Sequence, residues 1–465
     1  MSKDINDVFP EHNITNNEPG STTVDHKVII PATAHDLGNY LAKYGMANFQ
    51  IQFIMKIDGT LDFDTLVKAV RLLVEAEPVF GCRFVKSDSP YWKRFDDIDD
   101  TNKFCSFEET DDDEESVNRF LESPMSMDKD PMVLIRLIRK GAYDTLGIKI
   151  NHVCCDGAGA RDYVLLLSEI YSHIAVGDTA YRPDISIRDR KDIDELKIAF
   201  SDESPDTAWS IPQQMALPTW TFPWKNIQRG KVLFPACRIP EGQLDIMSKY
   251  AKERNATIND LLLTAIFRAM FKLANTPYGI PMDIPITIDL RKYLPDHKAD
   301  AIRNLSGGIV IKLDRRHQET FEDTLARVTA ATAEIRSKHP SILNSLWAEY
   351  IESMDFRYVC AYFKYLSQLI EFASFNPFFT VYNCGLTLSN CGYISKSLIH
   401  LGNRTVTDAY IIPPAIRAPG ILLVASTYNG IITLATGYYK PSAHKSDVET
   451  LLKKIVKELQ EGCHE

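Results

Sequence analysis

The sequence predicts an α+β protein in two halves, each a sheet with helices packed against one face. Three observations carry this expectation. At 465 residues the chain exceeds the usual size of a single core. Each half mixes strand-like segments of period two with helical segments of period 3.6, without strict β-α alternation. Between the halves, from Arg182 to Gln228, periodicity fails in a stretch rich in Pro, Asp and Trp, and so long a structureless loop inside one domain is improbable. The expected division is a disordered tail over 1–27, a first domain over 28–185, a linker over 186–228 and a second domain over 229–465. Trp209, Trp220 and Trp224 are expected to pack the linker onto the body.

The elements follow in order. Residues 1–27 are polar, with Asn, Pro, Gly, Ser and Thr in series. Gln50 to Ile57 alternates as a half-buried strand does, and Gly59 turns the chain. Asp62 or Asp64 caps a helix whose apolar face is Leu66, Val67, Val70, Leu73 and Val74. Pro78 ends it, and strands are expected at Val79–Val85, Met132–Arg139 and Thr145–Ile150, the last two split by Gly141. A helix follows from about Ala160 to Ile174. The second half starts with a strand at Val232–Arg238 and a helix from Glu241 to Arg254. Thr257 or Asn259 caps a helix ending at Leu273, which is apolar nearly all round and therefore buried. Strands are expected at Ile284–Leu290, Gly308–Leu313, Phe379–Tyr382, Gly385–Ser389, Val406–Ile411, Leu422–Thr427 and Ile431–Gly437. Helices are expected over 320–338, 342–372 and Ser446–Leu459.

Composition excludes several classes. Net charge is −10 with pI near 5.6, which argues against nucleic acid as a partner, since phosphate binding needs a basic face. No apolar run is long enough to span a bilayer, and the polar N-terminus lacks the apolar core of a secretory signal. Nine scattered cysteines, with no C-x-x-C pair, point to a reducing cytoplasm and against disulfides or a zinc site. No metal site is expected. Cys154 and Cys155 read as small packing residues, and the acidic runs Asp96–Asp100 and Glu108–Glu115 as solvated loop or helix start.

The segment that carries chemistry is Ile150-Asn151-His152-Val153-Cys154-Cys155-Asp156-Gly157. It puts a histidine in a tight turn leaving an apolar strand. An imidazole that titrates near neutral pH can serve as a general base. Asp156, beside Gly157 and a helix start, can cap that helix or pair with an arginine. Gly157 suits a close backbone approach or a conformation barred to other residues.

Five segments, in order, resemble the CoA-dependent acyltransferase superfamily, which includes chloramphenicol acetyltransferase, condensation domains and alcohol acetyltransferases. They are Leu61–Leu66 leading to Pro78–Phe84, the H-x-x-x-D-G of His152 to Gly157, the T-x-N-D-x-L of Thr257–Leu262, the D-x-R of Asp289–Arg291 with Asn304 after it, and the S-N-x-G of Ser389–Gly392. Asn151 stands where condensation domains usually carry a first histidine, and the D-F-G-W-G box of plant-type enzymes is absent. A stand-alone condensation-like or alcohol-acetyltransferase-like branch therefore fits better.

The resemblance implies two chloramphenicol-acetyltransferase-like domains forming a V with a central channel. His152 would be the base that deprotonates an alcohol or amine as it attacks a thioester, and Asp156 would bridge to Arg291 to hold the histidine loop. Ser389 and Asn390 would contact the acyl donor or stabilise the oxyanion, or else form a bulge; Asn151 and Asn304 are further contact candidates. The implied co-substrate is acyl-CoA or an acyl-phosphopantetheine, with no permanently bound cofactor. The implied partners are a small acceptor alcohol or amine, or an acyl or peptidyl carrier protein, and two fused domains could supply the site within a monomer. Condensation of two carrier-bound substrates, wax-ester or lipid acyl transfer, and a non-catalytic binding role are the alternatives. The aromatic series Tyr358, Tyr362, Phe363, Tyr365, Phe372, Phe375, Phe378 and Phe379 reads as core or tunnel wall, or as a lid over an acyl chain or a membrane surface.

Overall fold

The computed structural model describes residues 29–44, 48–97, 103–178, 180–183, 190, 222–337, 353–374, 386–394 and 399–463. The N-terminal tail, nearly all of the expected linker, including Trp209 and Trp220, and the expected strand at Phe379–Tyr382 lie outside them.

Two six-stranded sheets organise the chain. The first runs, edge to edge, His400–Leu401, Arg404–Ile412, Gln50–Asp58, Tyr143–Asn151, Val133–Lys140, Cys105–Glu109; all its pairs are antiparallel except the last. The second runs Ser306–Asp314, Pro281–Asp289, Leu386–Ile394, Ile421–Tyr428, Ile431–Thr436, Ala236–Arg238. Its central strands Pro281–Asp289, Leu386–Ile394 and Ile421–Tyr428 are mutually parallel.

Helices cover one face of each sheet, as period and capping foretell. Phe63–Ala76 begins where Asp62 accepts the Thr65 N–H at 2.7 Å, and it buries Leu66, Ala69, Val70, Leu73 and Val74. That i, i+3, i+4, i+7, i+8 stripe faces the first core beside the helix Gly157–Ala175. Each fully buried Leu or Val in it contributes about 1.5–3 kcal/mol over an exposed one. Ile258–Leu273 opens with a reciprocal Thr257–Asp260 capping box and packs between Phe321–Ser337 and Lys445–Gly462 in the second core.

Three expectations change. The 404–412 strand, placed in the second half by sequence order, hydrogen-bonds into the first sheet: Thr405 pairs with Asp58 and Ile412 with Gln52, around an irregularity between Val406 and Asp408. The physical reason is the open edge of Gln50–Asp58, which this strand covers while burying Val406, Ala409 and Ile411. The 229–465 segment is thus not one spatial unit. Pro78–Gly81 is a 3-10 turn, leaving only Cys82–Val85 as strand. The acidic run splits, with Glu108 and Glu109 ending a strand and Asp113 to Glu115 forming the first turn of a helix, where carboxylates complement the helix dipole. Of the expected 342–372 helix, the part up to residue 352 lies outside the described residues, and Phe356–Ser374 is helical.

Contacts lock the sheets together. The Ile411 N–H donates to Ser426 Oγ at 3.1 Å, the Tyr428 hydroxyl to the Val406 carbonyl at 2.6 Å, and Arg238 forks onto Asp408. Trp224 Nε1 donates to the Pro419 carbonyl at 2.9 Å. No helix among the described residues is long and apolar enough to cross a membrane.

Candidate active site

The motif strand Tyr143–Asn151 points Leu146, Ile148 and Ile150 into the first core. His152 extends its ladder by one bond, donating its N–H to the Phe49 carbonyl at 2.8 Å. The chain then turns, with the Cys154 N–H on the Asn151 carbonyl, and enters the helix at Gly157. Cys154 and Cys155 are buried in the core, as packing residues are.

Asp156 does both things open to it. Its Oδ1 caps the helix by accepting the Gly159 N–H at 2.8 Å, and its Oδ2 accepts from Arg291 Nη1 at 3.1 Å and from the Leu305 N–H at 2.6 Å. Burial alone would push this carboxyl up, but Arg291 and the two backbone donors outweigh it and hold it below the ordinary value. Arg291 is buried as well; its Nη2 donates to the Arg303 carbonyl at 2.7 Å and its Nη1 also meets Asp289 at 3.1 Å. The motif turn of the first half is thus bound to the 289–305 loop of the second.

Asn304, at the end of that loop, fixes the histidine. Its Nδ2 donates to the carbonyls of His152, at 3.1 Å, and Val153, at 2.8 Å. With the amide nitrogen so occupied, Oδ1 is the atom facing His152 Nδ1 at 3.2 Å. An amide oxygen only accepts, so Nδ1 carries the proton and Nε2 keeps its lone pair. The ring also lies within hydrogen-bonding reach of the backbone of His152 itself and of Cys155. Burial lowers the imidazole pKa below its ordinary 6.5, against smaller raising effects from hydrogen bonds and Asp156. The ring lies 5.2 Å from that of Phe49, which holds a φ of 54°, a conformation unusual for a bulky residue. Neither Phe49 nor the two-carbonyl grip of Asn304 leaves a sequence pattern.

The other candidates have partners of their own. Asn151 is fully buried and shapes the turn, its Oδ1 accepting the Val153 N–H at 3.1 Å. Ser389 Oγ accepts from Thr287 Oγ1 at 2.9 Å, and Asn390 Oδ1 accepts the Gly392 N–H at 3.0 Å where the strand register shifts. Gly157 has no positive φ; a Cβ there would meet Cys391 Sγ at 3.0 Å. Gly159 is under tighter demand, since a Cβ would come to 3.0 Å from both the Arg303 carbonyl and Cys155 Cβ. In the aromatic helix, Phe363 packs on the first core while Tyr358, Tyr362 and Tyr365 are exposed. No cluster of potential metal ligands occurs among the described residues.

Two layered lobes joined through the histidine turn give this chain the fold of solved condensation domains. The sequence profile described as Condensation domain matches residues 43–277, just over half of the 465, so the chain belongs to the condensation-domain family. Among solved structures, the first condensation domain of the calcium-dependent antibiotic synthetase, bound to a substrate analogue, is similar at a TM-score of 0.69 and 13% identity, over 95% of this chain and 98% of that one. Trichothecene 15-O-acetyltransferase from Fusarium sporotrichioides gives 0.67 and 12%, over 94% and 97%. Polyketide synthase associated protein 5 from Mycobacterium tuberculosis gives 0.62 and 16%, over 94% and 99%. No curated protein matches the sequence.

Proposed function

We propose that this protein is an acyltransferase that moves an acyl group from a thioester to an alcohol or amine, with His152 as general base. Membership of the condensation-domain family supports acyl transfer or condensation as the class of chemistry, and the acetyltransferase among the similar structures supports an alcohol acceptor. The observation that carries the proposal is the pairing of His152 Nδ1 with Asn304 Oδ1, because it leaves Nε2 as the free base. In the proposed step Nε2 takes the acceptor's proton as its oxygen or nitrogen attacks the thioester carbonyl. The tetrahedral intermediate collapses, the carbon–sulfur bond breaks, and the imidazolium returns the proton to the leaving thiolate. Asp156 and Arg291 act by holding the turn rather than by touching the reacting atoms.

The donor is a thioester on CoA or on a carrier-protein phosphopantetheine arm. A cavity of about 560 Å³, lined by Lys43, Arg229 and Lys364 among others, offers cationic groups suited to a phosphorylated arm. Acyl-CoAs of several chain lengths, incubated with a panel of alcohols and amines while free thiol is followed, test the reading. Acceptor-dependent thiol release that disappears in folded His152→Ala is the expected result. Equal turnover by that variant, or no turnover with either acyl-CoAs or acylated carrier proteins, would overturn it, the second outcome in favour of a binding protein that keeps the fold.

A further inference from the structure

Arg190 belongs to the stretch that joins the two halves, yet only 6% of it is exposed. Its guanidinium has three partners. Nη1 donates to the Ile302 carbonyl at 3.0 Å, and Nη2 donates to Asp36 Oδ1 at 3.1 Å and to the Cys154 carbonyl at 3.0 Å. Cys154 follows His152 by two residues, and Ile302 precedes Asn304 by two. Asp36 is itself a fixed anchor: its Oδ2 accepts from Trp92 Nε1 and from the Thr33 N–H, each at 3.0 Å, within the capping box of the helix Ala34–Leu41.

We propose that Arg190 is a positioning residue that sets the motif turn against the Asn304 segment and thereby keeps the His152–Asn304 hydrogen bond in register. The proposal rests on the reading of His152 as the base. A planar guanidinium can serve three acceptors in different directions while its charge is balanced by Asp36, whereas an ammonium at that depth is a point charge on a flexible stem. Its carbonyl partners flank the catalytic pair from opposite halves of the chain. Losing the fork would leave both carbonyls without this donor and loosen the join between the two segments, which the Asp156 and Asn304 hydrogen bonds would then hold without it. Where such a shift separates Asn304 Oδ1 from Nδ1, His152 loses both the hydrogen bond that raises its pKa and the tautomer that leaves Nε2 free.

Arg190→Met and Arg190→Lys in the full chain test this, with His152→Ala beside them. Two readouts are taken: kcat, KM and the pH profile of thiol release, and the side-chain 15N chemical shifts of His152, which need no turnover. For folded Arg190→Met the expected result is a 10- to 100-fold loss of kcat with little change in KM, an acid limb moved to lower pH, and 15N shifts displaced from the Nδ1–H tautomer. Arg190→Lys should retain part of each, and it decides the matter if the methionine variant does not fold. Wild-type 15N shifts and pH profile in a folded variant would overturn the proposal, as would activity lost only in proportion to the fraction unfolded. If His152→Ala keeps its activity while the 15N shifts still move in Arg190→Met, the catalytic reading fails and the positioning role stands.

Discussion

The chemistry proposed for His152 depends on neighbours that lie far off in sequence. With its pKa lowered by burial, kcat/KM should be flat at neutral pH and fall only below the ordinary histidine value of 6.5. His152→Ala should cost about 10²- to 10⁴-fold in turnover, read by thiol release. Asn304→Asp places a carboxylate on Nδ1, and the acid limb should move to higher pH; an unmoved limb would show that Asn304 does not face the working imidazole. Lys149 is a second residue-scale case. It is fully buried and donates to the carbonyls of Phe120 and Ser123, each at 2.6 Å, and to Ser123 Oγ at 2.9 Å. Burial, with Arg136 nearby, lowers its pKa from 10.5 to about 7. Between those values the unfolded chain binds a proton that the folded chain does not, so this group makes stability rise with pH across the window. Thermal unfolding of wild type and Lys149→Met from pH 7 to 10 should diverge in slope, the wild type being the steeper.

At the scale of elements, the motif helix Gly157–Ala175 needs a glycine at position 159 in its first turn. Gly159→Ala pushes a Cβ against the backbone carbonyl of Arg303, which cannot swing aside as a side chain would. Overpacking of this kind costs about 1–3 kcal/mol, to be read from chemical denaturation. Sequence periodicity identified the buried stripe of Phe63–Ala76 and the capped, wholly buried Ile258–Leu273, because both patterns are local. It read Val79–Gly81 as strand because a 3-10 turn of apolar residues has no period of its own. The irregularity after Asn390 left one legible sign, the Gly392 that holds a positive φ.

For the molecule as a whole, the buried Asp156–Arg291 pair and the exchanged strand decide how the halves cooperate. Asp156→Ala leaves Arg291 buried without its main counter-charge and should destabilise the fold by about 3–5 kcal/mol. Because the Asp156 carboxyl is held below its ordinary value, its contribution is present at neutral pH and is lost as pH falls through that depressed value. Hydrogen exchange should protect the amides of Arg404–Ile412 together with those of Gln50–Asp58, their ladder partners. Protection that instead followed Ile421–Tyr428 would show that the strand opens with the second sheet.

By itself the sequence determined the α+β class, most of the helices and strands, and the five ordered segments that mark the superfamily, including His152, Asp156 and Arg291. These are properties of local period, capping chemistry and short spacings, which a linear chain displays openly. Only the tertiary structure decided that Arg404–Ile412 completes the first sheet, that Asn304 selects the histidine tautomer, and that Arg190 returns from the joining stretch to bond beside both. Each of those depends on hydrogen bonds between residues far apart in the chain or on which open strand edge a segment meets, and neither leaves a period or a motif in the order of the amino acids.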